Sequence, residues 1–309
     1  MARRVLITGA GGFVGPYLRE HCSKQGDEVT GTTASDGPDL LDAPAWVDLF
    51  AEVRPDVVYH LAAWADVGGS WQDPIATFEI NANGTLHVLE AARRSGARRV
   101  VMVSSADVYG VVAPDELPLA ETSEPRPSSP YGASKIAAEA LALQHHRGWG
   151  LEVVIARPFN HIGPGQSPRF ATSAFADRVA RCEADGGGEV RHGDLSPRRD
   201  FTDVRDVVRA YRLLAERGRP GEIYNVCSGR SIAMSDILQR LIDQVDVPIG
   251  HRADPELVRP VDLPVLQGTA DKLQAETGWT PDVPLDHSLA DILDDARKRL
   301  ISPEGTPPS

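Results

Sequence analysis

Five short runs of β-branched and aliphatic residues recur through the first half of the chain: RRVLIT, DEVTGT, DVVYHLAA, RRVVMVSS and LEVVIARP. Each is apolar continuously rather than at alternate positions, which is how a strand reads when both of its faces are covered. Helix-patterned segments lie between them: VGPYLREHCSKQ, PAWVDLFAEV, NANGTLHVLEAARRSG and KIAAEALALQHHRG. The two ending in SG and RG put a glycine where a helix would stop. Strands alternating with helices need crossover connections, and so predict a parallel sheet. The expected fold class is α/β, a Rossmann-type doubly wound parallel sheet.

After Pro158 the pattern changes. Residues 159–200 are rich in Gly, Pro, Ser and Arg, with one helix around 170–184. TDVRDVVRAYRLLAE reads as an amphipathic helix and GEIYNVC as a strand, both returning to the main sheet. Residues 231–301 hold two further helices, near SDILQRLIDQV and HSLADILDDARKRL, around a Pro-rich middle. The expectation is a dinucleotide-binding domain of residues 1–158 plus about 201–230. A smaller, discontinuous C-terminal substrate-binding domain takes 159–200 plus 231–301. The tail 302–309, SPEGTPPS, has nothing to bury and is expected to be disordered.

Composition narrows the partners. The net charge is −12, from 32 Lys and Arg against 44 Asp and Glu, so the basic stripe that nucleic acid requires is missing. A small anion held by a few local arginines remains compatible. Cys22, Cys182 and Cys227 are too few and too scattered for a disulfide framework or a zinc site, so no metal is expected. Reduced thiols fit a cytoplasmic location. No run is long enough for a signal peptide or a membrane span.

TGAGGFVG (8–15) follows the first strand and opens the first helix. Gly9, Gly12 and Gly15, three apart, allow a tight turn, close approach to a pyrophosphate and close packing of helix on sheet. The helix N-terminus adds donors and a partial positive charge. An acid about twenty residues on would mark the ribose diol of NAD. GTTASD (31–36) has Thr32, Thr33 and Ser35 there instead, with no arginine beside them. Hydroxyls can bond a 2′-phosphate without repelling it, so NADP is favoured and NAD stays open.

YGASK (131–135) sets Tyr131 and Lys135 four apart on one face at the start of a helix. An ammonium beside a phenol favours phenolate, as does a positive nicotinamide, so Tyr131 is expected to have a lowered pKa. That would make it an acid or base near neutral pH. A Tyr and a Lys at this spacing also occur by chance; the glycine turn and Ser105 at a strand end give the pair meaning.

Together these motifs resemble the extended, nucleotide-sugar branch of the short-chain dehydrogenase/reductase superfamily, the NAD-dependent epimerase/dehydratase family. The resemblance covers nearly the whole chain. It runs through TGAGGFVG, the DL at 39–40, HLAA (60–63), the Asn81 of FEINANGT, SSADVYG (104–110) and YGASK. It continues through RPFNHIGPGQ (157–166), RRDFTDVRD (198–206) and RPVDLPVLQGTADKLQAETGWTP (259–281). It implies a triad in which Ser105 bonds the substrate oxygen, Tyr131 moves the proton and Lys135 holds the nicotinamide ribose. Phe13 and Val14 would join the glycine turn at the cofactor, with Asp39 and Leu40 at the adenine. Leu61, Ala62, Ala63, Asn81 and Pro158 would lie along the cofactor. Asn160, Arg199 and Arg259 would grip the substrate's diphosphate and nucleotide, the arginines as bidentate cations. The branch also implies a homodimer, through the helices that begin near Asn81 and Tyr131.

Asp107 bears on the reaction. In the related 4,6-dehydratases a Glu at this place takes the proton from sugar C5. Here Ser105-Ala106-Asp107 stands there, and Asp107 is one methylene shorter, a displacement that costs proton abstraction dearly. Dehydration is therefore disfavoured, and Asp107 reads as structural or substrate-orienting, an auxiliary to the triad. A 4-keto reductase and a 4-epimerase remain, and the triad serves both. WADVGGSWQDP, RPFNHIGPGQSPRF and GDLSPRRDFTDVRDVVRAY look most like the GDP-6-deoxy-4-keto-D-mannose reductases, which make GDP-D-rhamnose. A catalytically silent NAD(P)-binding regulator is the reading from another class. Such proteins usually lose the Tyr or the Lys.

Overall fold

The computed structural model describes residues 2–257 and 263–301. Arg259 and the tail 302–309 lie outside the described residues. From the N-terminus the elements are β1 (Arg4–Thr8), α1 (Val14–Lys24), β2 (Glu28–Thr32), α2 (Ala43–Val53) and β3 (Val57–His60). Next come α3 (Val67–Ser70), α4 (Pro74–Phe78), a π-helical turn (Glu79–Asn83), α5 (Gly84–Ser95), β4 (Arg99–Val103), α6 (Pro130–Trp149) and β5 (Glu152–Pro158). The second half holds β6 (Asn160–Ile162), α7 (Ala171–Ala184), β7 (Gly188–His192), β8 (Arg198–Asp203), α8 (Val204–Arg217), β9 (Ile223–Val226) and β10 (Ser231–Ala233). It closes with α9 (Met234–Ile242), β11 (Ile249–Ala253), β12 (Val265–Leu266), α10 (Asp271–Thr277) and α11 (Leu285–Ile301).

The main sheet is six-stranded and parallel, in the order β2-β1-β3-β4-β5-β9. The continuous apolar runs are explained by burial on both sides. Val5, Ile7, Val57, Tyr59, Val101 and Val154 face a core shared with Leu18 and Cys22 of α1 and with Tyr211 and Leu214 of α8. Their neighbours Leu6, Val58, Val100, Met102, Val153 and Ile155 face the opposite core, with Trp46 and Phe50 of α2, Val88 of α5 and Ala138 of α6. Strand order reverses across β1, so β2 and β3 flank it, and the carboxyl ends of β1 and β3 open a crevice of the kind that holds ligands in this architecture.

A third core lies away from the sheet, built from α7, α9, α11 and Val190 of β7. A fourth, of Val108, Tyr109, Leu119, Phe159 and Leu266, fills the space between strand ends and the C-terminal segments. Two readings are corrected. α6 runs through Gly148 and stops at Gly150. The Pro-rich middle of 231–301 contains a helix, α10, which packs on α8 and β9. Leu273 and Trp279 join the main core, and Trp279 Nε1 donates to the Asp206 carbonyl at 2.9 Å. This part of the segment therefore sits with the sheet, because a Leu and a Trp gain most where apolar area is already assembled. Among the described residues no helix is long and apolar enough to cross a membrane.

Candidate active site

Thr8 ends β1, and the chain turns at once into the glycine loop. Gly9 has φ +71°, and a Cβ there would stand 2.7 Å from the Ala62 nitrogen, so only glycine fits between the ends of β1 and β3. A Cβ at Gly15 would lie 2.3 Å from the Ala10 carbonyl oxygen, so its absence lets α1 start flush against the turn. Gly12 is exposed at the mouth, and Phe13 caps α1 with Val14 in its first turn. The result is a cradle of backbone at a helix start, which fits a pyrophosphate.

Behind the cradle a chain of hydrogen bonds fixes the strand ends. The Ala62 amide donates to Thr8 Oγ1, and Thr8 Oγ1 lies 2.8 Å from His60 Nδ1. His60 Nε2 lies 3.0 Å from Thr85 Oγ1, which itself donates to the Asn81 carbonyl at 2.6 Å. Since the Thr85 proton is spent on Asn81, His60 donates from Nε2 and accepts at Nδ1. Burial, with Lys135 adding to it, holds the His60 pKa down to about 3, so this imidazole stays neutral. Leu61 and Ala63 flank Ala62, half-buried at the same edge.

Ser105 follows β4, and Tyr131 and Lys135 rise from the first turns of α6. α6 starts there because Ser129 accepts from the Gly132 amide and Pro130 takes the first helical position. All three side chains are buried. Lys135 Nζ lies 5.8 Å from the Tyr131 ring centre and donates to the Val103 carbonyl at 3.0 Å. Burial lowers the Lys135 pKa to about 8, with Glu139 acting in the opposite sense. Tyr131 departs from expectation. Burial first, then the Asp107 charge, pushes its phenol well above the ordinary range, and a hydrogen bond with Ser105 only partly offsets this. Desolvation, which the sequence does not display, sets the direction, against the lowering expected from the neighbouring lysine.

Glu139, one turn beyond Lys135, pairs with Arg157 of β5 through Nε at 2.8 Å and Nη2 at 2.6 Å. Ser104 donates to the same carboxylate at 2.5 Å, and Arg157 Nη1 reaches the Tyr109 hydroxyl at 3.1 Å. Tyr109 in turn donates to Asn225 at 2.7 Å. This buried network ties α6, β4, β5 and β9 together directly beneath the site.

Asn81, expected along the cofactor, has its side chain bonded to the protein. Its Oδ1 accepts from the Trp64 amide at 2.7 Å, and its Nδ2 donates to the Trp64 carbonyl and to Ser134 Oγ. Ser134 passes its own proton to the Tyr131 carbonyl at 2.7 Å. Through these bonds Asn81 braces the turn carrying Tyr131. The π-helical turn that presents it is a common device at functional sites.

The remaining residues lie on the rims. Thr32 is buried at the end of β2, its carbonyl accepting from the Ala10 amide at 2.7 Å, and Thr33 follows it, half-buried. Asp39 is exposed and accepts from the Leu41 amide, while Leu40 packs against the α2–α5 core. Pro158 is the buried last residue of β5. Asn160, on β6, pairs in register with Phe201 of β8, two residues along from Arg199, which puts Asn160 and Arg199 on one face. Arg199 Nη1 donates to the Arg198 carbonyl. Next to Arg199, the buried Asp200 accepts from Ser228 and Gly229 in one loop and from Gly268 in another, pinning two segments to β8. Ser134, His60 and Asp200 are not singled out by the sequence; the Asn81–Ser134, Thr8–His60 and Ser228–Asp200 bonds join residues far apart in the chain, and no spacing signals them.

A parallel doubly wound sheet with a glycine cradle at its switch point, and a Ser, a Tyr and a Lys grouped at the next strand end, defines an NAD(P)-dependent oxidoreductase. Residues 5–227 match the NAD dependent epimerase/dehydratase family, and the chain belongs to that family. It is 37% identical over 302 residues to GDP-6-deoxy-D-mannose reductase of Pseudomonas aeruginosa, covering 97% of this chain and 99% of that one. The solved structure of RMD from Pseudomonas aeruginosa complexed with NADPH matches with a TM-score of 0.89 at 36% identity, over 96% of this chain and 100% of that one. The Thermus thermophilus UDP-glucose 4-epimerase in complex with NAD matches with a TM-score of 0.83 at 31% identity, over 95% and 99%.

Proposed function

We propose that the chain reduces the 4-keto group of a GDP-4-keto-6-deoxyhexose with NADPH, giving GDP-D-rhamnose. The observation that carries this reading is the grouping of Ser105, Tyr131 and Lys135 beside an Asp107 that folds back onto Ser105. The similarity to the Pseudomonas aeruginosa reductase along almost the full length of both chains supports it.

The reduced nicotinamide, when bound, supplies the hydride for sugar C4. Tyr131, kept protonated by burial, gives its proton to the oxygen that becomes the C4 hydroxyl, and solvent restores it. Ser105 orients that oxygen once its hydroxyl turns away from Asp107. Lys135 spends one N–H on Val103 and holds the ribose with the others. Asn160, Arg199 and Arg259 take the diphosphate and nucleotide. The cofactor lies in the sheet lobe, and the sugar nucleotide against the lobe built on α7, α9 and α11. The three free cysteines fit a cytoplasmic location, and α5 with α6 is the expected dimer contact.

The test is NADPH oxidation, followed by absorbance, with GDP-4-keto-6-deoxy-mannose, the product being checked by mass. Stoichiometric consumption and a gain of two hydrogens are expected. Consumption of none, with a changed sugar isomer, points instead to a 4-epimerase, the reading that the match to the Thermus thermophilus enzyme favours. Water loss from GDP-mannose points to a dehydratase. Tyr131→Phe with turnover lost and cofactor binding kept separates either enzyme from a silent regulator.

A further inference from the structure

One run of hydrogen bonds joins the wall of the glycine cradle to the backbone of the turn that carries Tyr131. It starts at Ala62, whose nitrogen stands where a Cβ at Gly9 would collide. The Ala62 amide donates to Thr8 Oγ1, Thr8 Oγ1 donates to His60 Nδ1, and His60 Nε2 donates to Thr85 Oγ1. Thr85 Oγ1 donates to the Asn81 carbonyl, and the Asn81 side chain carries on from Nδ2 to Ser134 Oγ. Ser134 Oγ closes the run on the Tyr131 carbonyl. Each donor points away from Gly9 and toward Tyr131, the arrangement in which hydrogen bonds polarise and strengthen one another. His60 must accept at Nδ1 and donate from Nε2, which one tautomer of the neutral ring does, and burial keeps the ring neutral. Thr8, His60, Thr85, Asn81 and Ser134 are all buried, so a lost link leaves an unpaired group in the core.

We propose that His60 is a positioning residue for the reaction: through Thr8 on one side and Thr85, Asn81 and Ser134 on the other, it holds the cofactor cradle and the Tyr131 turn in one register. No proton travels along the run, since an amide opens it and an amide carbonyl ends it. What it fixes is geometry. Hydride goes to the carbon and the proton to the oxygen of a single carbonyl, so cofactor and phenol must be held relative to each other. A misplacement of about 1 Å costs on the order of 10²-fold in rate. The inference rests on Tyr131 acting beside a bound dinucleotide and not on which sugar is reduced.

Thr85→Val removes the hydroxyl that His60 meets, and Thr85→Ser keeps it. In the full chain Thr85→Val should lower kcat at least about tenfold while the KM for the sugar nucleotide stays within about twofold. Thr85→Ser should restore kcat. The two ends of the run supply a cycle. Ser134→Ala, at the Tyr131 end, should weaken NADPH binding more than about twofold in a fluorescence titration without sugar. Thr8→Val, at the cradle end, should lower kcat. The double variant should lose little more than the worse single, because either break interrupts the same run, whereas independent sites would multiply. Losses that multiply, an unchanged NADPH affinity in Ser134→Ala, or a kcat that stays low in Thr85→Ser would each overturn the proposal. Where Thr85→Val fails to fold, the Ser134→Ala titration decides alone. That titration needs no sugar, so a failure of the reductase reading would leave its outcome standing.

Discussion

Ser105 Oγ donates to Asp107 Oδ2 at 2.9 Å, and the Asp107 amide returns a bond to the same hydroxyl at 3.1 Å. A side chain one methylene longer would project past the serine; this one closes on it. Asp107 also lies in the field of Tyr131, whose pKa it raises after burial has done so. Its charge therefore reaches the reaction through the phenol.

Asp107→Asn keeps an acceptor for Ser105 and removes the charge. Tyr131 must be protonated to act as the acid, so activity is lost as pH rises through its pKa. Removing the charge lowers that pKa, and the basic limb of the kcat profile should move to lower pH. The fall in kcat at neutral pH should stay under about tenfold, against about 10²–10⁴ for loss of a general acid or base. A larger loss, with solvent deuterium entering sugar C5 in the wild type, would make Asp107 the base of a dehydratase.

Lys135 sits in the core at a cost to stability. Its pKa falls from 10.5 to about 8 on folding, mainly through burial. Between those two pH values the unfolded chain binds the extra proton, so this group's contribution to stability rises with pH from 8 to 10.5 and is most adverse below 8. Lys135→Met should therefore raise the stability at pH 7 by on the order of 1–3 kcal/mol, with the gain shrinking above pH 8. Turnover should be lost. Denaturant melts of both proteins at pH 7 and pH 10 check this, and an equal difference at the two pH values would contradict it.

The Glu139–Arg157 pair is buried on both sides, so breaking it strands a charge. Arg157→Met alone should cost about 3–5 kcal/mol. Replacing both partners by Met should cost much less, since no uncompensated ion remains. Urea midpoints for the two singles and the double give the cycle. A double variant no more stable than Arg157→Met would show that Ser104 and Tyr109, rather than the ion pair, carry the joint.

Sequence alone reaches the sheet because strands buried on both faces cannot hide their composition. It reaches Tyr131 and Lys135 because four residues make about one helical turn. It misses α10, whose seven residues are held by Leu273 and Trp279 docking on distant elements and not by propensity. It misses the bracing role of Asn81, which depends on a π-helical turn with no spacing signal. It gives Tyr131 the wrong direction of pKa shift, because burial is a property of the fold.

Phe13, at the start of α1, and His161, beside Asn160, stack with their rings 2° from parallel and centres 5.9 Å apart. His161 donates from Nδ1 to the Phe159 carbonyl, and burial lowers its pKa, so the stack involves a neutral ring. The contact joins the glycine cradle to the segment proposed to hold the substrate's diphosphate. An aromatic pair of this kind contributes about 0.5–1.5 kcal/mol beyond area burial, or roughly two- to tenfold in binding. His161→Ala should raise the KM for the sugar nucleotide by that factor, with a smaller effect on cofactor affinity. His161→Phe, which keeps the stack, should restore it. Steady-state kinetics of the two variants decide the matter: a KM that stays high in His161→Phe would mean that the imidazole nitrogens, and not the stacking, hold the segment in place.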